Sequence, residues 1–358
     1  MKDPAIAPIE EVVARLDEFN AVIDARSPSE YAEDRLPGAI NAPVLDDAQR
    51  ALVGTTHAQI GAFEARRLGA AIAARNIGDQ IDRLFAERDR DFRPLVYCWR
   101  GGQRSGSLAT VMARIGWRTT VIEGGYRAFR RHVIAELETL PKPLRLIVVG
   151  GRTGSAKSRL LEQIGLKGGQ VLDLEKLASH RGSLLGSLPT ETQPGQKRFE
   201  TMLWERLRGF STGQPVFVES ESRKIGQCQI PGALIEAIRA SQVAIVEAPI
   251  EVRSHFLLDE YQHFLKDVPR LFTLLDYMTP LHGARRIGEW KTLVDTDHWP
   301  ELVERLLLEH YDPSYDRSMK RNFDQLAAAP VVSLAATTPA ALDQAADELI
   351  RLGESRSG

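Results

Sequence analysis

Up to about residue 140, short β-branched runs alternate with longer stretches whose apolar positions recur at helical spacing. AVIDA (21–25), AINAPV (39–44), LVYC (95–98) and TTVIEGG (119–125) are expected to be strands. THAQIGAFEARRLGAAIAARN (56–76), SGSLATVMARIG (105–116) and YRAFRRHVIAELETL (126–140) are expected to be helices. This alternation predicts an α/β domain with a mainly parallel sheet.

LPKPL (140–144) sets two prolines between a helix and a new apolar run, which marks a domain boundary. The expected division is therefore 1–140 and 144–358. In the second part LRLIVVGG (144–151), QVLDLE (170–175), PVFVES (215–220), QVAIVEA (242–248) and PVVSL (330–334) are expected strands, and Pro249 to about Glu309 reads mostly as helix. A second parallel α/β domain with a helical C-terminal part follows. The alanines of LAAAPVVSLAATTPAAL fill helix and loop.

Of the 358 residues, 43% are hydrophobic and 26% charged, enough for sizeable cores in two domains. Lys and Arg (46) nearly balance Asp and Glu (48), so any nucleic-acid contact must come from local basic patches. The acidic N-terminus lacks signal-peptide features and no run is long and apolar enough for a bilayer, which predicts a cytoplasmic protein without a membrane partner. Cys98 and Cys228 are isolated from each other, which excludes a C-x-x-C pair and disfavours a disulfide framework.

Cys98 closes a strand in VYCWRGGQRSGS and precedes a helix starting near Ser105. Backbone N–H groups of such a loop, with the positive end of the helix dipole, favour thiolate and hold an oxyanion. Gly101 and Gly102 permit the tight curvature; Arg100 and Arg104 add cationic donors, and Gln103 and Ser105 complete the loop. A buried structural cysteine beside solvated arginines is the bland alternative. The spacing from Cys98 to Arg104 and Ser105 equally fits a cysteine-dependent phosphatase, although Tyr97 stands where such loops often carry histidine and no acid loop is evident. The loop alone leaves both chemistries open.

GRTGSAKS (151–158) lies between the run LIVVG and a helical segment, the context of a phosphate-binding loop. Gly151, Arg152, Thr153, Gly154, Ser155 and Ala156 form its cradle, Lys157 reaches a phosphate and the Ser158 hydroxyl is suited to Mg²⁺. Ala156 stands where glycine is standard, and its Cβ is expected to weaken ATP binding. PVFV ends in Glu219-Ser220-Glu221-Ser222-Arg223-Lys224, which reads equally as a Mg²⁺ or substrate site and as a solvated loop. His180 and Arg181, with Ser183, Gln193 and Gln196, mark a Gly- and Pro-rich loop as a substrate contact.

VIDARSPSEYAEDRLPGAINAPV (22–44), with Asp24, Arg26, Glu30 and the turn at 37–41, together with the Cys98 loop, resembles the rhodanese family. Asp24 and Arg26 at a strand end are expected to brace that loop. The resemblance implies a cysteine carrying a persulfide or perselenide. A rhodanese-like domain followed by a P-loop NTPase-like domain, with YCWRGGQRSG, GGRTGSAKS, HRGSLLGS and FVESESRKIG in that order, closely resembles the bacterial tRNA 2-selenouridine synthases over nearly the whole chain. That resemblance implies a transferase acting on the wobble 2-thiouridine of the tRNA anticodon stem-loop. It implies S-geranylation from geranyl diphosphate, then selenation from selenophosphate, with no tightly bound cofactor.

On this reading Cys98 is the nucleophile and selenium carrier, Arg100 and Arg104 clamp the selenophosphate, and residues 151–158 hold the diphosphate. Arg127, Arg130 and Arg131, on one predicted helix face, are candidate tRNA contacts, as are Arg285-Arg286 and YDPSYDRSMKRN (311–322). A solvated helix face is the commoner explanation of such runs. Two other classes remain: a cysteine-dependent phosphatase fused to a kinase-like P-loop domain, and a persulfide relay with a nucleotide-gated RNA-binding module.

Overall fold

Parallel pairing organises both five-stranded sheets of this computed structural model, which describes residues 3–182, 192–324 and 326–355. The chain forms two compact units, Met1–Leu137 with Gly195–Glu205, and Glu138–Pro194 with Arg206–Gly358. Gly195–Glu205 thus lies within the stretch 144–358 of the sequence and groups with the first unit.

The first unit carries strands β1 (Ala5–Ala7), β2 (Ala21–Asp24), β3 (Ala39–Asn41), β4 (Pro94–Tyr97) and β5 (Thr120–Ile122) in the order β1-β5-β4-β2-β3, all parallel. β4 is buried along its whole length, as expected of a central strand with both faces covered. Its carboxyl end delivers Cys98 to the mouth of the sheet, where open α/β sheets place ligands. β1 is too short for its alternation to be read from sequence. The helix expected at 56–76 is divided into Asp47–Gln59 and Ala62–Leu84, because Gly61 takes φ 143° and breaks the run.

The second unit contains β6 (Arg145–Gly150), β7 (Gln170–Leu172), β8 (Pro215–Glu219), the antiparallel pair β9 (Lys224–Ile225) and β10 (Cys228–Gln229), then β11 (Gln242–Glu247) and β12 (Val331–Ser333). The main sheet runs β12-β11-β6-β8-β7, all parallel. Its core joins Ile147 and Val149 of β6 to Leu160, Leu161 and Ile164 of the helix Lys157–Leu166 and to Leu342, Ala346 and Leu349 of the helix Pro339–Glu354. A separate cluster around Trp290, Leu275 and Leu302 holds the helices between Val268 and Leu306. Among the described residues, no helix is long and apolar enough to cross a membrane.

Candidate functional site

Cys98 is buried, and the Ser105 hydroxyl donates to its Sγ at 3.1 Å from the first turn of the helix Gln103–Ile115. Cys98 O accepts the Tyr126 amide at 2.8 Å, and Trp99 O accepts that of Arg127 at 3.1 Å, tying the loop to the helix Gly125–Leu137. Gly101 sits at φ 66°, and a Cβ there would lie 2.7 Å from Ile122 O. Only glycine fits that turn.

Behind the loop, Arg26 and Asp24 form a fully buried ion pair with N–O distances down to 2.6 Å. Tyr97 donates its hydroxyl to Asp24 at 2.7 Å, and Arg26 lies 4.1 Å over the Tyr126 ring, which stacks on Trp99. Asp24 and Arg26 do brace the loop, through these aromatic rings. Asp34 accepts from Tyr126 (2.8 Å) and Thr201 (2.9 Å); burial pushes its carboxyl above the ordinary range.

The two loop arginines differ. Arg100 is exposed and, among the described residues, has no side-chain partner, while Arg104 is held by Glu30 at 2.6 Å. Gln103 and Gly102 are exposed at the helix start. The arginines of the next helix also separate: Arg127 and Arg131 face solvent, whereas Arg130 is bound to Glu200 and donates to Lys197 O at 3.3 Å.

In the second unit β6 runs into the phosphate loop at Gly151, with Gly154 at φ 85°. Ala156 adopts the left-handed conformation at φ 54° that glycine usually supplies, and its methyl is buried in the main core cluster. The left-handed backbone costs roughly 1–2 kcal/mol and a buried methyl returns about 0.8 kcal/mol, so alanine is tolerable here. Lys157 Nζ donates to Gly151 O at 2.6 Å, and burial lowers its pKa against the pull of Glu175, Glu221 and Glu219. Arg152 projects outward to Asp316 at 2.7 Å; Thr153 O accepts from Arg253, which also grips Asp312 through two 2.8 Å bonds.

Glu219, at the end of β8, accepts the Glu175 amide at 2.7 Å, while its other oxygen is buried without a partner. Ser158 donates to Glu175 at 3.1 Å, and Glu221 lines the same cleft. Burial, reinforced by Glu175, pushes Glu221 up to about 8. Both causes favour the protonated form of Glu221. His180 lines the same cleft and accepts the Gly182 amide at 3.1 Å; burial lowers its pKa. Arg181 is held by Glu260 at 2.7 Å and lies over Tyr261. Gln193 bonds the β9–β10 turn, whereas Ser183 lies outside the described residues. Arg223 and Lys224 are exposed on that hairpin and do not line the cleft.

Around the phosphate loop lies a cleft of about 1260 Å³ bounded by Lys157, Ser158, Glu175, His180, Glu221 and Tyr315. Beside it is an apolar slot of Leu257, Leu258, Phe264, Leu271, Trp299 and Leu306; Thr153, Leu257, Tyr261 and Tyr311 line both spaces. Tyr311 and Tyr315, read from sequence as part of an RNA-contact segment, line the cleft around the 151–158 loop, and Asp312 is held by Arg253. Their only sequence signal was a tyrosine-rich helix remote from the loop.

A cysteine at the carboxyl end of one parallel sheet and a phosphate loop at that of another define a rhodanese-like protein fused to a P-loop-type domain. Residues 8–132 match the rhodanese-like domain family and residues 144–270 the tRNA 2-selenouridine synthase AAA domain. The chain is 33% identical to tRNA 2-selenouridine synthase of Nitrosomonas europaea, across 73% of this chain and 68% of the relative. It is 30% identical to that of Sulfurovum sp. (85% and 90%) and 32% identical to that of Alcanivorax borkumensis (84% and 90%). The chain belongs to the tRNA 2-selenouridine synthase family.

Proposed function

We propose that this chain is a transferase that converts wobble 2-thiouridine in tRNA to 2-selenouridine in two steps. In the first, the thiouridine sulfur attacks C1 of geranyl diphosphate; the C–O bond breaks, diphosphate leaves and the base loses its N3 proton. Lys157 and the loop amides stabilise the charge gathering on the leaving group. In the second, the selenophosphate selenium attacks C2 of the base, geranylthiolate leaves, and hydrolysis of the Se–P bond releases phosphate; Cys98 and the exposed Arg100 hold the anionic selenium donor during this exchange. Arg104 positions the loop through Glu30. Substrate tRNA would put the enzyme in the cytoplasm.

The observation carrying this reading is the apolar slot of about 70 Å³ that lies beside the loop cleft and shares Thr153, Leu257, Tyr261 and Tyr311 with its lining. A diphosphate joined to a short hydrocarbon chain has the matching polarity at each end. A nucleotide would leave the slot without a complementary group. Magnesium in phosphate-loop sites takes one or two protein oxygens and completes its shell with phosphate and water. Ser158 and the unpartnered Glu219 oxygen suit that role, and the ion would neutralise the diphosphate. Among the described residues, no three His, Cys, Asp or Glu side chains form a metal site by themselves.

The test incubates purified protein with thiolated tRNA and reads the nucleosides by mass. Geranyl diphosphate alone should yield the S-geranyl nucleoside, and further addition of selenophosphate should yield 2-selenouridine. Selenouridine formed without any prenylated nucleoside, at any time point, would remove the first step.

A further inference from the structure

Tyr315 projects from the helix Asp312–Asn322 onto the beginning of the phosphate loop. Its hydroxyl accepts the Gly151 amide at 2.5 Å and lies 3.4 Å from Ser220 Oγ, with Lys157 Nζ 5.8 Å from its ring centre. In a phosphate loop the helix amides hold the inner phosphates and the lysine tip reaches toward the outermost one. Here the lysine tip is at Gly151 O, so Tyr315 stands at the outer end of the phosphate path.

The surroundings make that position rigid. Asp312, one turn earlier, is gripped by buried Arg253, which also bonds Thr153 O, and Asp316 is paired with Arg152. The helix is therefore fastened to the loop on both sides of Tyr315. Gly150 leaves the necessary room: a Cβ there would come within 3.1 Å of the Tyr315 hydroxyl and 3.3 Å of Met319 Cε.

We infer that Tyr315 sets the length of the phosphate chain, closing the Gly151 end of the loop so that a diphosphate fits and a triphosphate does not. This rests on the diphosphate reading above and names the residue that enforces it. A third phosphate would have to displace the phenol and take over the Gly151 amide.

Pyrophosphate, tripolyphosphate and geranyl diphosphate are titrated separately, with Mg²⁺, into the full-length protein and its Tyr315→Ala and Tyr315→Phe variants, with thermal melts as a folding control. The wild type should bind pyrophosphate more tightly than tripolyphosphate. Tyr315→Ala should shift that ratio toward tripolyphosphate by about tenfold or more. Tyr315→Phe, which frees the amide but keeps the ring, should shift it by less. A general loss of structure would weaken both probes without moving their ratio. Wild-type protein without the preference, or an unchanged ratio in the folded variants, overturns the inference. If Tyr315→Ala does not fold, the Tyr315→Phe ratio decides. Preference for pyrophosphate with no binding of geranyl diphosphate sinks the prenyl reading and leaves the length rule standing.

Discussion

The Ser105 hydroxyl lies 3.1 Å from Cys98 Sγ and 3.2 Å from Gly102 O, so a donor stands within reach of the sulfur before any substrate arrives. If Cys98 serves only selenation, Cys98→Ala should still make geranylated tRNA and no selenouridine. Ser105→Ala should slow selenation by about tenfold, the scale of one lost hydrogen bond, and spare geranylation. Nucleoside mass spectrometry separates the two products. Loss of both in Cys98→Ala would refute the division of labour.

The Asp24–Arg26 pair is a structural support. Replacing Asp24 with alanine leaves a guanidinium buried without its carboxylate, which costs about 3–5 kcal/mol. Denaturant unfolding should show this as a lowered midpoint, with the Cys98 loop loosened because Tyr97 loses the same partner. An unchanged midpoint would mean that water reaches Arg26.

The carboxyls beside the phosphate loop predict a pH dependence. Burial raises Glu175, and burial together with the charge of Glu175 pushes Glu221 to about 8, so the folded state holds a proton that the unfolded chain releases in the ordinary carboxylate range. Their contribution is fully present below that range and is lost as pH rises through about 8. Glu221→Gln should flatten this fall, measured as melting temperature against pH. Parallel curves for variant and wild type would count against a protonated Glu221.

The arginines of the helix Gly125–Leu137 should divide by burial. Reversing charge at exposed Arg127 and Arg131 should weaken tRNA binding at fixed low salt and reduce its salt dependence. Arg130→Ala should instead lower the melting temperature, because it abandons Glu200. Equal effects on affinity from all three positions would contradict the division.

Both candidate loops were legible because their residues are consecutive. Cys98 through Ser105 and Gly151 through Ser158 each follow an apolar run and lead into a helix, and contiguous backbone builds each loop. Neighbouring residues also made Arg100 and Arg104 look equivalent, although a carboxylate 74 positions away engages only one of them. The role expected of Ala156 illustrates the limit of spacing alone: its Cβ is buried in the core, which periodicity does not reveal.

The sequence by itself determined the two parallel α/β folds, the two loops and the family, since these depend on hydrophobic period and on consecutive residues. Tertiary structure decided what surrounds the loops. Tyr315 lies 164 residues from Gly151, and the slot is assembled from helices between Leu257 and Tyr311. Such contacts come from chain packing, and a linear spacing carries no record of which distant helix face will meet a loop.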